Sequence, residues 1–226
     1  MITTNVFSRV FQIQFNGGIG TCFAIDCENK QYIITAKHVV EGLTNNHLIK
    51  IFHANKWVEV NVKLIGHHKI ADVSVFALYQ QLAFFELEPT TRDLTCGQDL
   101  YFLGFPFKLR SEIDIRLNNE FPFPLVKKGI LSAIMQDNAH GYFFLDGHNN
   151  PGFSGGPVVF KPTPNSNFRV AAIISAYRFD NQPVLLNGNP TESIIQTNTG
   201  IILAPRIENA LELIKANPIG FPIKAI

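Results

Sequence analysis

Charged residues are scarce in this chain, and neither sign dominates. Only 16% of the 226 residues are charged, and 19 basic against 18 acidic residues leave a formal net charge of +1. Proteins that coat nucleic acid, and polybasic surfaces that bind membranes, need a large excess of Lys and Arg. We therefore expect neither a nucleic acid nor a membrane among the partners of this protein.

Long apolar runs are missing as well. No stretch reaches the roughly 18 consecutive apolar residues that suggest a membrane-spanning helix. Residues 1–15 lack the continuous apolar block of a secretory signal. These absences predict a soluble, cytoplasmic protein, although export by a route that needs no signal stays open.

Cysteine is rare, and the set is odd in number: Cys22, Cys27 and Cys96. It argues against a disulfide framework, and no Cys-x-x-Cys pair suggests a structural zinc site. The adjacent His67 and His68 form only a weak metal pattern with Asp72. We expect buried reduced thiols, no metal and no cofactor.

Apolar residues are plentiful, at 46% with 20 Phe. Short apolar or alternating runs recur about every ten residues between Gly, Pro and Asn; in Trp57–Leu64 the apolar side chains share one face. Only 207–214 has helical spacing, ending before Asn217-Pro218. Strands with so few helices predict a sandwich or barrel.

Polar segments mark the predicted connections. Glu88–Gln98 is the best linker, while Phe107–Pro124 and Asp180–Thr199 are predicted to be long loops because they are rich in charge or in Asn, Pro and Gly.

Glycines crowd around one serine in Asn150–Pro157. A Ser on such a tight turn lies where backbone N–H groups converge, and these can stabilise an oxyanion. The alternative is a Gly-rich hairpin turn with a solvated Ser. The G-x-S-x-G nucleophile elbow of α/β-hydrolases is excluded because it needs a later His, and His148 is the last one. The subtilisin order, with Asp26, would need a parallel sheet that the pattern does not predict.

Two earlier residues complete the order His, Asp, Ser. His38 follows an apolar strand that ends in Thr35-Ala36, so a rigid element would place it. Asp72 begins the apolar run Val73–Leu78, where a buried carboxylate needs a partner. Taken singly, these would be a half-buried ring and a strand cap.

Together these motifs resemble the trypsin-like (chymotrypsin-fold) serine peptidases, and most of all the bacterial HtrA-like branch without a PDZ domain. The resemblance covers about residues 6–216. It implies an all-β fold of two antiparallel six-stranded β-barrels packed across a cleft, with a C-terminal α-helix. Residues 1–90 would form the first barrel and 91–226 the second. The matching segments are Gly20–Ile25, Ile34–Val40, Ala71–Leu78, Gly104–Pro106, Lys128–Ala133, Asn150–Val159 and Asn198–Ala204.

The resemblance also implies the roles of individual residues. Ser154 would be the nucleophile, His38 the general base and then acid, and Asp72 the group that orients His38. The backbone N–H groups of Gly152 and Ser154 would form the oxyanion hole. The substrate would be a protein or peptide, cleaved through an acyl-enzyme.

Substrate contacts are implied for two further segments. Ile174, Ser175 and Ala176 would pair with the substrate backbone as an added strand. His148 falls where trypsin has its acidic specificity residue, and Asp146 lies two residues away. Cleavage after Lys or Arg is therefore not expected, although His148 could also be a turn residue.

One departure from the digestive trypsins concerns activation. Phe153 precedes Ser154, where those enzymes carry the Asp that receives a freed N-terminus, so no zymogen switch of that kind is expected. Two alternatives stay open on the same fold: a binding or regulatory module with little turnover, and an acyl-ester hydrolase.

Overall fold

The structure is a computed structural model that describes residues 1–45, 47–136 and 141–223. About half of the chain forms two β-sheets, which are antiparallel except for one short parallel pair. The first contains β1 (Val10–Phe15), β2 (Gly18–Cys27), β3 (Lys30–Thr35), β4 (Leu48–His53), β5 (Lys56–Asn61), β6 (Lys63–His67), β7 (Ser74–Ala77) and, near the end of the chain, β16 (Phe221–Pro222).

The first sheet curls around its own apolar side chains. Its order is β5-β4-β1-β2-β3-β7-β6, and β5 and β6 are joined through the single residue Val62. The predicted strand Trp57–Leu64 is thus two strands: β5 pairs with β4, and β6 pairs with β7. Because one bent segment forms both ends of the sheet, the sheet closes around a core that includes Phe11, Ile33 and Phe76.

The second sheet has the order β14-β15-β11-β10-β9-β12-β13-β8. A second core lies within it, with Phe102, Leu145 and Val158 among its buried residues. Its strands are β8 (Glu88–Pro89), β9 (Asp99–Gly104), β10 (Leu125–Met135), β11 (Tyr142–Asp146), β12 (Pro157–Phe160), β13 (Arg169–Ile173), β14 (Ala176–Leu186) and β15 (Asn189–Pro205).

The all-β fold with a C-terminal helix is confirmed, and each described sheet has eight strands where six were expected. In the first sheet the additions are the split of one strand at Val62 and the two-residue β16. In the second they are β14 and the two-residue β8, which makes a parallel pair with β13.

The prediction of a long loop at Asp180–Thr199 was wrong, because this segment forms most of the β14–β15 hairpin. Its turn is Asn187-Gly188, with φ of 52° and 81°. Asn-Gly favours these left-handed values and is the strongest short hairpin signal in a sequence. The predicted loop at Phe107–Pro124 contains two short 3-10 turns, Pro106–Lys108 and Ile115–Asn118.

Two α-helices are present in the described residues. α1 (Thr4–Phe7) is a single turn, and α2 (Glu208–Ala216) is the predicted C-terminal helix. Its buried side chains Ala210 and Ile214 pack into the core that the two sheets share. Neither helix has the length and apolar character needed to span a bilayer.

Candidate active site

His38 lies on a short turn that a buried strand holds in place. β3 ends at Thr35, and the 3-10 turn Lys37–Val40 follows, with Val39 and Val40 buried. Those two valines fix the turn, while the His38 side chain is 51% exposed. The imidazole therefore lies on a rigid element and stays accessible to a ligand.

Asp72 accepts three hydrogen bonds just before β7. The His38 backbone N–H donates to Oδ1 (2.9 Å), His38 Nδ1 lies 2.7 Å from Oδ2, and the Ser175 hydroxyl donates to Oδ2 (2.6 Å). Partial burial alone would raise the pKa of Asp72, but the bonds from His38 and Ser175 outweigh it and lower that pKa to about 2. Asp72 is therefore a carboxylate at neutral pH.

The same contact shifts the titration of His38. Its hydrogen bond to Asp72 raises the pKa of His38 above the ordinary value of a histidine, against the opposing effect of burial. The imidazolium is stabilised because the negative charge of Asp72 lies beside Nδ1.

Ser154 lies on a tight turn before β12 that only glycines permit. Gly152 and Gly155 have φ of 107° and 84°. A Cβ on Gly155 would lie 2.1 Å from the carbonyl oxygen of Thr21, and one on Gly152 would lie 2.4 Å from that of Phe105. Any larger residue would push the turn away from both sheets.

Thr21 of β2 connects this turn to the first sheet. Its N–H donates to the Ser154 carbonyl (2.9 Å), and its hydroxyl donates to the Gly152 carbonyl (2.7 Å). Thr21 thereby fixes the position of the serine turn relative to β2 and to its neighbour β3, the strand that precedes His38. Sequence reasoning did not single out Thr21, because a Thr inside a strand carries no local signal of such a contact.

The N–H groups around Ser154 fall into two sets. Those of Phe153, Gly155 and Gly156 donate to backbone carbonyls. Those of Gly152 and Ser154 donate to no other described residue. The two groups that the resemblance assigned to the oxyanion hole therefore have no competing acceptor among the described residues.

The Ser154 hydroxyl donates to the carbonyl of Ser175 (3.3 Å), and among the described residues it makes no hydrogen bond to His38. Ser175 thus contacts two of the three candidate residues: its carbonyl accepts from Ser154, and its hydroxyl donates to Asp72. Catalytic hydrogen bonds are often long or misaligned in a free enzyme and tighten when substrate binds.

The three residues predicted to pair with the substrate, Ile174, Ser175 and Ala176, differ in how exposed they are. Ile174 is fully buried, its N–H donates to Gly156, and its carbonyl accepts from Gly155. It has no unpaired N–H to offer a substrate. Ser175 is half-buried and Ala176 is exposed at the start of β14.

His148 is exposed, and its segment is held by a residue that the sequence did not indicate. The ammonium of Lys127 donates to the His148 carbonyl and to Asn150 Oδ1, both at 2.6 Å. The Nζ atom of Lys127 also lies 5.5 Å from the centre of the Phe153 ring. Lys127 is distant in sequence, so only folding brings this cation to the segment before Ser154.

One histidine of the weak metal pattern, His67, is engaged in hydrogen bonds with its neighbours. His67 makes hydrogen bonds through both ring nitrogens, to the Ser74 hydroxyl and to the Leu43 carbonyl, each 2.7 Å. No cluster of three metal-binding side chains occurs in the described ranges. Cys22 is fully buried, and this burial raises the pKa of its thiol, which disfavours the reactive thiolate.

The family is identified from residues 20–162, which match the family model of the trypsin-like peptidase domain. Since the match covers more than half of the chain, the chain belongs to the trypsin-like peptidase family. Its class is therefore that of the serine endopeptidases, hydrolases that act on peptide or protein substrates. No match was found among the curated proteins.

Solved structures with a similar fold include two proteases at low sequence identity. The inactive form of a serine-to-alanine mutant of Rv3671c from M. tuberculosis H37Rv is 13% identical, with a TM-score of 0.61 over 97% of this chain and 91% of that one. The HtrA-type protease AlgW, solved with a tripeptide, is 18% identical, with a TM-score of 0.61 over 94% of this chain. This chain spans 61% of the length of AlgW.

Proposed function

We propose that Ser154, His38 and Asp72 form a catalytic triad that hydrolyses peptide bonds through an acyl-enzyme. The observation that carries the proposal is the carboxylate of Asp72, which holds His38 by both its backbone and its ring. With Nδ1 bound to Asp72, the other ring nitrogen, Nε2, can accept a proton. A structural ion pair would not need this bidentate contact to a half-exposed ring.

The proposed reaction uses each group in turn. His38 removes the proton from the Ser154 hydroxyl as its oxygen attacks the substrate carbonyl, and Asp72 stabilises the resulting imidazolium. The N–H groups of Gly152 and Ser154 donate to the oxyanion. His38 then protonates the leaving amine, and a water molecule releases the acyl group by the same steps.

We place this reaction between a barrel of residues 1–90, which carries His38 and Asp72, and a barrel of residues 91–226, which carries Ser154. The contacts of Thr21 with Gly152 and Ser154 support this arrangement, since they tie the two sheets together beside the serine. The short β16 belongs to the second range in sequence but pairs with β3 of the first sheet.

A fluorophosphonate probe separates this function from a binding module without turnover. The bond from Ser154 to Ser175 favours the inactive alternative, because the hydroxyl must rotate before His38 can accept its proton. An active enzyme should be labelled at Ser154, and Ser154→Ala should not be labelled. Absence of label on the folded wild-type chain, or a label on another residue, would refute the proposal.

We expect activity to fall as the solution becomes acidic. His38 works as a base only when neutral, and Asp72 raises its pKa, so activity should be lost already as pH falls through a value above the usual ~6.5. The measurement is kcat/KM from about pH 5 to about pH 8, a range in which His is the side chain that normally titrates. A flat profile over this range would show that His38 is not the base.

We also expect the residue before the scissile bond not to be Lys or Arg. A buried cation needs a carboxylate partner. The segment predicted to form the pocket already holds a positive charge, because the Lys127 ammonium donates to the His148 carbonyl and to Asn150 Oδ1. A second cation, from a substrate Lys or Arg, would be disfavoured there. Profiling with a peptide library tests this, with His148→Ala as the control for a direct contact of the imidazole. A dominant preference for Lys or Arg would contradict it and would implicate Asp146.

A further inference from the structure

The β14–β15 hairpin extends directly from the candidate active site. Ser175, whose carbonyl accepts from the Ser154 hydroxyl, immediately precedes β14. In the described part of the chain β14 lies at the end of the second sheet and pairs only with β15. Its other edge is therefore open along a strand that begins beside the nucleophile.

Three threonines of β15 show which backbone groups of β14 face inward. Their hydroxyls donate to the carbonyls of Arg178, Asp180 and Val184, at 2.8, 3.3 and 2.9 Å; the donors are Thr199, Thr197 and Thr191. Neighbouring residues of a strand direct their backbone groups to opposite sides. The groups of Tyr177, Phe179 and Asn181 therefore point away from β15, toward the open edge.

Pro183 agrees with this alternation. Pro183 lies two residues after Asn181 and four after Phe179, so its backbone faces the open edge as theirs do. Its nitrogen, which carries no hydrogen, therefore points away from β15. Proline is tolerated in a sheet mainly where its nitrogen faces away from a partner strand.

Apolar side chains are unusually exposed along the hairpin. Phe179, Leu185 and Ile194 are 54%, 60% and 67% exposed. A two-stranded hairpin is only marginally stable by itself in water, and an open edge is a template for another strand. Both features suit a strand that is completed by an extended polypeptide.

We propose that β14 continues the substrate-binding edge, so that the peptidase takes an extended, unfolded segment of at least seven residues before the scissile bond. The inference rests on the proposed function. We place the residue before that bond opposite Ser175, because the Ser175 carbonyl lies beside the Ser154 hydroxyl while its N–H donates to the Leu203 carbonyl of β15. An antiparallel substrate strand then places its fifth residue opposite Phe179 and its seventh opposite Asn181, counting back from the bond. The fifth residue should be apolar, because directly opposed side chains in a sheet share one face.

Peptides of two lengths and two methylation patterns test the register. Extending a substrate from four to eight residues before the bond should raise kcat/KM by about tenfold or more, since each added backbone hydrogen bond contributes modestly. N-methylation of the fifth residue should remove much of this gain because its N–H faces β14. N-methylation of the sixth, whose N–H faces away, is the matched control and should leave the gain intact.

The substitution Phe179→Pro tests the same edge of β14 by changing the protein instead of the peptide. It removes an outward N–H without touching the inward carbonyls of Arg178 and Asp180, and the chain already accepts Pro183 at such an outward position. The ratio of kcat/KM for the long and short peptides should fall toward one. Val184→Pro would instead place a proline at an inward position and serves as the contrast, measured with a thermal melt.

Three outcomes would overturn the proposal: no dependence on length, equal effects of the two methylations, or a concentration-dependent dimer whose formation Phe179→Pro abolishes, since a second copy would then occupy the edge. Binding of the eight-residue and four-residue peptides to Ser154→Ala keeps the test independent of turnover. If the wild-type chain is neither labelled nor active, yet Ser154→Ala binds the longer peptide more tightly, the proposed function fails and the binding edge stands.

Discussion

Ser154→Ala is expected to lower kcat by roughly 10⁵- to 10⁶-fold, the size of loss seen when a serine nucleophile is removed from a triad. The hydroxyl is the only atom that can form the acyl-enzyme in the proposed mechanism. The N–H groups of Gly152 and Ser154 remain, because alanine keeps the backbone of the turn. The residual rate should therefore still exceed that of the uncatalysed reaction.

Ser132→Ala is the matched control for this change. Ser132 is an exposed residue of β10, and its side chain makes no hydrogen bond to another described residue. Its activity and melting temperature should equal those of the wild type. If Ser154→Ala keeps near wild-type activity while remaining folded, Ser154 is not the nucleophile.

The three candidate catalytic residues could be proposed from sequence because each sits beside a strong local pattern. His38 follows an apolar strand, Asp72 precedes another, and glycines surround Ser154. Their order along the chain then excluded the nucleophile elbow of the α/β-hydrolases, and the lack of a parallel-sheet pattern argued against the subtilisin order. The structure brings His38 within 2.7 Å of Asp72, across 34 residues of sequence.

Contacts between distant segments could not be read in the same way. The hydroxyl of Ser175 reaches Asp72 over a separation of 103 residues, and Thr21 reaches Gly152 over 131. Such contacts depend on how the two sheets meet, and neither residue stands in a distinctive local pattern. The sequence suggested Ser175 only as part of a substrate strand.

The β14–β15 hairpin shows a different limit. A strand is recognised in a sequence when apolar and polar residues alternate, because one face of the strand is buried. Most of this hairpin is exposed on both faces, so its sequence does not alternate in this way. Its Asn, Pro and Gly content then favoured a loop. The signal that would have found it is Asn187-Gly188, which depends on turn geometry and not on burial.

Asp72→Asn is expected to lower kcat by about 10⁴-fold while leaving the fold intact, as for the matching change in a well-studied triad. Asp72 accepts from His38 Nδ1, so it keeps Nε2 free to act as the base. An asparagine amide can donate to Nδ1, which places the histidine proton on Nε2 and blocks that role. The pKa of His38 should fall as well, because the negative charge that raises it is removed.

The two effects are measured separately, by kcat and by an NMR titration of His38. Asp99→Asn is the control: Asp99 forms an exposed ion pair with Lys128 (2.8 Å), and loss of such a pair should change neither quantity. Ser175→Ala, which removes one of the bonds to Asp72, should have an intermediate effect and should raise the pKa of Asp72. If Asp72→Asn lowers the pKa of His38 but leaves kcat unchanged, the pair is an ion pair without a catalytic role.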